Sequence, residues 1–247
     1  MKINENRQFM KSDFSARGIE SDQMKGLPQP PLEKAIPSDV ELISLSSLEE
    51  LKDIECSLFN AINNRKSKRV YSNDSLTLKE LSFLLWSTQG IKEVIRDGYA
   101  ALRTVPSAGA RHPFETYLYI NKVEGLKKGI YKYSALKNAI YFIYDQEDLK
   151  EKIIEGCLMQ NMAGEAAVTF IWSVIPYRGE WRYNIVSHKA MLLDAGHVCQ
   201  NLYLACEAIN SGTCAIAAYD QEKMDQLIKV DGKDEFVVYV SPVGKNR

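Results

Sequence analysis

Arg103-Thr-Val-Pro-Ser-Ala-Gly-Ala-Arg-His-Pro-Phe-Glu-Thr-Tyr-Leu-Tyr-Ile120 changes character half-way along. Up to Pro113 it reads as a loop, in which Pro106, Ser107, Ala108, Gly109 and Ala110 are small and Gly109 has no side chain. Such a loop lets a flat ligand lie close against the backbone while its N–H groups stay available. From Glu115 to Ile120 the β-branched and aromatic residues predict a strand. The segment therefore sets a loop fit for a ligand directly against a sheet, and the flanking sequence decides which kind of sheet.

Downstream, residues 129–133 and 139–144 predict a hairpin around Lys137-Asn138, residues 168–175 a buried strand, and residues 213–217 and 236–243 two more strands. Ser47-Leu-Glu-Glu50 has capping-box spacing and predicts a helix to about Ile62. Thr77-Leu-Lys-Glu80 repeats the signal, with Gly90 where that helix should stop. Residues 146–167 are expected to be helical. Residues 181–209 predict the longest helix, with Leu192, Leu193, Ala195, Val198, Leu202 and Ala205 at helical spacing and few charges in the middle. That helix is expected to be buried nearly all round, as a central or dimer-core element. Helices and strands intermingle without regular βαβ units, so the fold class is α+β. Residues 1–45, with Pro28, Pro30, Pro31 and Pro37, predict an extended arm, and residues 46–247 a single domain.

The 31 basic and 32 acidic residues nearly cancel, giving a net charge of -1 over 247 residues. No global field draws in nucleic acid or an anionic membrane, so anion binding must be local. There is no long apolar run and no secretory leader in Met1-Lys-Ile-Asn-Glu-Asn-Arg7. Cys56, Cys157, Cys199, Cys206 and Cys214 form no C-x-x-C pair, and the three histidines have no metal-like spacing. A cytoplasmic protein without a metal is expected.

Local anion binding has two candidate sources. In Arg65-Lys-Ser-Lys-Arg69, an extended backbone would point Arg65, Ser67 and Arg69 to one side and Lys66 and Lys68 to the other. Two guanidinium groups and a hydroxyl suit a phosphate monoester. The C-terminus adds Lys245-Asn-Arg247 after a hydrophobic strand. Taken singly, each stretch reads first as a solvated basic segment.

Together, Arg65-x-Ser67-x-Arg69, Pro106-Ser-Ala-Gly109 with Pro113-Phe114, and Pro242-Val-Gly-Lys245-x-Arg247 resemble the nitroreductase superfamily in order and spacing. Leu85-Trp-Ser-Thr-Gln-Gly90, the 103–113 string and Asp194-Ala-Gly-His-Val-Cys-Gln-Asn-Leu202 are similar to its SagB/ThcOx-type dehydrogenase branch. The resemblance implies a nitroreductase fold, with a central, mostly antiparallel sheet flanked by helices in an interlocked homodimer that holds FMN at the subunit interface. It implies cofactor contacts from Arg65, Lys66, Ser67 and Arg69, from Pro106, Ser107, Ala108 and Gly109, from Ala217 and Ala218, and from Lys245 and Arg247. The 106–109 loop would come from the partner subunit, and the Ala218 N–H would face the flavin N5. The flavin carries the chemistry, so no residue is singled out as a general acid or base.

The implied activity is hydride transfer between a donor, such as NAD(P)H or the substrate itself, and a small molecule or peptide. Azoline-oxidising members, which act with a cyclodehydratase partner, are associated with a Lys-Tyr pair before the long helix. Here Ile175-Pro-Tyr-Arg-Gly-Glu-Trp-Arg-Tyr183 contains no lysine. Azole formation is therefore an alternative, as is a flavin-binding or interaction protein that has lost turnover.

Overall fold

The computed structural model describes residues 3–12 and 20–247. Its strands are β1 (Leu42–Ser44), β2 (Ile91–Ile95), β3 (Ala100–Arg103), β4 (Phe114–Ile120), β5 (Gly129–Ser134), β6 (Ala139–Tyr144), β7 (Val168–Val174), β8 (Ser211–Thr213) and β9 (Phe236–Lys245). Its helices are α1 (Ile3–Phe9), α2 (Leu48–Leu51), α3 (Leu58–Asn64), α4 (Leu78–Gln89), α5 (Leu149–Gly156), α6 (Met162–Glu165), α7 (Tyr177–Tyr183), α8 (Ser187–Ala208) and α9 (Gln221–Leu227).

Seven strands pair antiparallel throughout in the order β1-β6-β5-β4-β7-β9-β8, and β2 and β3 form a separate hairpin. The central strands β4 and β7 are buried along their whole length, so β7 reads as a continuous apolar run rather than an alternation. Successive side chains of β4 still divide between two cores. Leu118 and Ile120 pack with Leu84 and Leu85 of α4 and with Val198 and Leu202 of α8. Tyr117 and Tyr119 pack on the opposite face with Ile153 of α5, Ala163 of α6 and Met224 of α9. The result is an α+β sheet layered by helices on both faces.

Both capping boxes form, with Ser47 and Thr77 each accepting from the N–H of the glutamate three residues on. Three expected helices are nevertheless each split in two. The 47–62 helix stops at Lys52 so that Ile54 can turn onto the core, and a new helix starts after Ser57. The 146–167 helix ends in a Schellman turn, where Met159 N bonds Ile154 O (2.8 Å) and Leu158 N bonds Glu155 O (3.0 Å). Leu158, at φ 52°, takes the position usually given to glycine, which hides the stop from the sequence. Residues 181–209 break at Asn184, at φ 51° and ψ −145°, leaving α7 and α8 joined by a 3-10 turn. Within the chain α8 is not enclosed, since Leu192 and Leu193 are 51% and 58% exposed. Residues 213–217 contribute only Thr213 to β8 and an isolated pairing of Ile216 with Val240, while β1, β2 and β3 were not anticipated.

Of the arm predicted over residues 1–45, positions 1–2 and 13–19 lie outside the described residues. Residues 20–45 run across the body. Gln23 N bonds Trp181 O (2.8 Å), Trp181 Nε1 bonds Leu27 O (3.0 Å) and Arg178 Nε bonds Pro31 O (3.0 Å). Glu33 accepts from Ala135 N (2.9 Å) and Ser134 Oγ (2.9 Å) and pairs with buried Arg103 (3.4 Å). Lys34 N bonds Glu115, whose buried carboxylate also meets Lys132 (2.9 Å) and Arg178 (2.5 Å). The opposite charges hold the Glu115 pKa down despite burial.

Candidate active site

Residues 65–72 lie along the sheet edge made by β8 and the end of β9. Ser67 bridges to Thr213, Lys68 N bonds Thr213 O (2.9 Å), and Ser72 N bonds Lys245 O (3.0 Å). The close approach needs two glycines. A Cβ on Gly244 would fall 2.5 Å from the Tyr71 ring, and one on Gly212 would fall 2.8 Å from the Lys68 stem. The Tyr71 hydroxyl locks the edge by donating toward Lys68 O (2.8 Å) and Pro242 O (3.1 Å), and its burial raises its pKa.

Tyr203 of α8, which the sequence did not single out, ties this edge together. Its hydroxyl lies 3.2 Å from Ser67 Oγ and accepts from Ala215 N (2.9 Å), while the Arg65 guanidinium sits 5.3 Å from the ring centre. Arg247 Nε reaches Tyr71 O (3.2 Å) from the other side. Arg65, Ser67, Arg69 and Arg247 thus share one edge, and none of the three arginines meets a carboxylate among the described residues. Lys66 is exposed nearby. Lys245 differs, because its ammonium is engaged by the Glu80 carboxylate and by Ile209 O (2.9 Å).

Beyond Ala215 the chain runs to Ala217 and Ala218, both exposed. Ile216 pairs with Val240, and the Ala218 carbonyl accepts from Gln160 Nε2 (3.0 Å), which fixes the turn. The N–H groups of Ala217 and Ala218 donate to nothing among the described residues.

The 106–109 loop sits elsewhere on α8. Ala108 N donates to Asp194 (3.0 Å), and His112 N donates to Ser107 Oγ (2.9 Å). Burial raises the Asp194 pKa, opposed by hydrogen bonds from Ser107 and Ala108. Gly109, at φ +60°, lies under Tyr183 and Arg182, where a Cβ would fall 2.5 Å from the tyrosine oxygen. Asp194 precedes Tyr203 by nine residues, about 13 Å of helix at 1.5 Å per residue. One chain therefore gathers the basic edge and the 217–218 turn, and leaves the 106–109 loop further along the same helix. Between α7, α8 and β9 opens a cavity of about 940 Å³, with Phe114, Val174, Met191, Leu192, Phe236 and Val238 in its wall.

The order and placement of these pieces match a known pattern. The model of the nitroreductase family matches residues 62–245, which spans both the basic edge and the loop. The chain belongs to the nitroreductase family. It is thereby an oxidoreductase enzyme. A nitroreductase-named protein of Methanocaldococcus jannaschii is 29% identical over 207 residues, covering 84% of this chain and 98% of that protein. Among solved structures, a nitroreductase-type protein of Ralstonia eutropha has a TM-score of 0.69 at 19% identity, over 90% of this chain and 99% of its own. One of Anabaena variabilis has a TM-score of 0.68 at 23% identity over 85% of this chain, which spans only 42% of the Anabaena chain. A chain of the Escherichia coli microcin synthetase McbBCD complex has a TM-score of 0.61 at 16% identity, over 100% of this chain and 98% of its own. At these identities the solved structures establish the nitroreductase fold. No helix among the described residues is long and apolar enough to cross a membrane.

Proposed function

We propose that this nitroreductase-family enzyme binds FMN and passes hydride between NAD(P)H, or an oxidisable substrate, and a small molecule or peptide, working as a cytoplasmic homodimer. The observation that carries this reading is a set of arginines on one edge that meet no carboxylate among the described residues, together with two backbone N–H groups that donate to nothing there. Arg65, Arg69 and Arg247 meet no carboxylate among the described residues, and Arg65 shares Tyr203 with the Ser67 hydroxyl, the kind of donor set a phosphate monoester requires. The free N–H groups at 217–218 would lie at the other end of the cofactor, with Ala218 the donor toward N5. The residues present therefore fit FMN. When bound, FMN supplies two-electron chemistry, accepting hydride from one molecule and giving it to another.

This chain's own residues then bind and orient. Arg65, Ser67 and Arg247 hold the phosphate end, with Lys66 at its margin. Arg69 places a fixed positive charge near the pyrimidine end, which favours the reduced, anionic form. The distance between the basic edge and the 106–109 loop supports a dimeric site, in which Pro106, Ser107, Ala108 and Gly109 of one protomer wall the flavin of its partner. The apolar exposure of Leu192 and Leu193 on α8 supports the same arrangement. The domain boundary near residue 45 is part of this reading, with the arm wrapping the flavin domain.

The deciding experiment is the visible spectrum of the purified protein, with identification of the flavin released on denaturation. A yellow protein holding FMN, bleached anaerobically by NADH or NADPH, is the expected result. A colourless protein that ignores added FMN would overturn the reading. A second reading, an azoline dehydrogenase acting with a cyclodehydratase, is supported by full-length overlap with the microcin synthetase chain. It stands or falls on turnover of azoline peptides by the FMN-loaded enzyme with its partner present.

A further inference from the structure

The arginines of this protein are not spread evenly. Arg103 and Arg178 meet buried carboxylates, Glu33 and Glu115 respectively. Those without a carboxylate partner among the described residues fall into two groups, apart from Arg7 near Asn4. One is the Arg65, Arg69 and Arg247 edge already described. The other is Arg96, Arg111 and Arg182, all gathered around Tyr99. In a chain of net charge -1, an uncompensated cationic cluster is a local feature that calls for an anion.

The geometry of the second group is specific. Arg111, only 5% exposed, lies 4.8 Å from the Tyr99 ring centre and 5.5 Å from that of Trp181. Its Nε donates to Gly109 O (3.0 Å) and its Nη2 to Tyr99 O (3.0 Å). Burial, with Arg182 nearby, lowers its pKa from an arginine's usual value. Arg182 Nη1 donates to the Tyr99 hydroxyl (2.7 Å), and Gln23 Nε2 donates to the same oxygen (2.9 Å). A phenol oxygen that accepts twice keeps its own proton free to donate. Arg96 stands 5.9 Å from the same ring. Two guanidinium groups therefore flank Gly109 in the loop read as a flavin wall, and one of them holds the Tyr99 hydroxyl.

We propose that Arg111, Arg182 and Tyr99 form a phosphate subsite, which takes the diphosphate of a nicotinamide dinucleotide that delivers hydride to the flavin. The proposal rests on the reading of the 106–109 loop as a flavin wall. Guanidinium groups suit phosphate oxygens because they present paired donors in a plane, and the free phenol proton adds a third direction. Arg111 is fixed by its stacking and by Gly109, so it positions the anion. Arg182, half-buried on α7, supplies the adjustable charge.

The test uses the FMN-loaded protein and ADP, a diphosphate probe with no nicotinamide. Calorimetry should show ADP binding that weakens about tenfold in Arg182→Ala, about 1.4 kcal/mol, and recovers in part in Arg182→Lys. Tyr99→Phe, which removes only the hydroxyl, should weaken it several-fold. In parallel, the selectivity for NADH over the phosphate-free donor 1-benzyl-1,4-dihydronicotinamide should fall by a similar factor in Arg182→Ala. Absence of ADP binding, or equal binding by wild type and Arg182→Ala, overturns the subsite. If such a protein is still yellow and bleached by a donor, the flavin reading survives. Loss of FMN from the wild type sinks that reading instead.

Discussion

The carboxylate of Glu80 joins two distant parts of the chain: one oxygen accepts from Thr77 N (2.9 Å) in the capping box of α4, and the other takes the ammonium of Lys245 at the end of β9. Lys245 also donates to Ile209 O (2.9 Å), so its two partners fix the terminal strand that leads to Arg247. Lys245 thus orients the basic edge more than it supplies charge to it.

Lys245→Ala should therefore act on stability before it acts on flavin binding. Loss of a half-buried pair is expected to lower unfolding free energy by about 1–2 kcal/mol, read from urea melts of the apoprotein. Arg65→Ala, by contrast, should raise the FMN dissociation constant by about tenfold to a hundredfold, the range of a lost charge-assisted hydrogen bond. Fluorescence titration of the two variants separates the roles. Equal losses of affinity would return Lys245 to the phosphate itself.

Tyr203→Phe removes one hydroxyl that serves two neighbours. The Ala215 N–H loses its acceptor and Ser67 loses its partner. A cost of about 1 kcal/mol in stability is expected, with weaker FMN binding, while Arg65 keeps the ring beneath it. A variant indistinguishable from wild type in both measurements would show that Tyr203 merely packs.

Gly109→Ala meets two obstacles at once. The residue has φ +60°, and the new methyl would fall 2.5 Å from Tyr183 Oη and 2.9 Å from Arg182 Nε. The left-handed backbone alone costs about 1 kcal/mol with a Cβ, and the clash pushes the loop off α7. Destabilisation by about 2 kcal/mol is the expected outcome, together with reduced FMN retention. Thermal melts and flavin content of the purified protein check both.

His112 gives a pH signature. Burial, reinforced by Arg103 and Arg111, pulls its pKa down to about 3. The unfolded chain takes up this proton below about pH 6.5, whereas the folded chain resists until about 3. Its contribution is therefore full above 6.5 and is lost as the pH falls toward 3. Urea midpoints measured between pH 7 and 4.5 should drop more steeply for wild type than for His112→Asn. Parallel slopes would contradict this account.

Local signals in the sequence were read correctly where the physics is local. The two capping boxes, the hairpin of residues 129–144 and the strand before Ile175 each depend on neighbours a few positions away. The helix breaks at Leu158 and Asn184 were hidden because non-glycine residues adopt left-handed backbone there, under tertiary packing. Leu192 and Leu193 looked like core because periodicity marks an apolar face without saying what covers it. At the site, the spacing of Arg65, Ser67 and Arg69 was legible. The pairing of Lys245 with Glu80 was not, since the partners lie 165 positions apart. Tyr203 was missed because an aromatic on an apolar helix usually packs, and only its hydroxyl hinted otherwise.

The stretch from Gln23 to Lys34 docks on residues that are all made after it. Its anchors are Tyr99, Arg103, Glu115, Trp181 and, last of all, Glu235, which receives Lys34 at 2.5 Å. At roughly 5–20 residues per second, the interval from residue 34 to 235 is on the order of 10–40 s. During that time its anchors arrive one by one, and the full set is in place only once Glu235 is made. The last of these contacts therefore closes only after Glu235 is made, and a fusion placed upstream of Gln23 will trail from a segment that settles late.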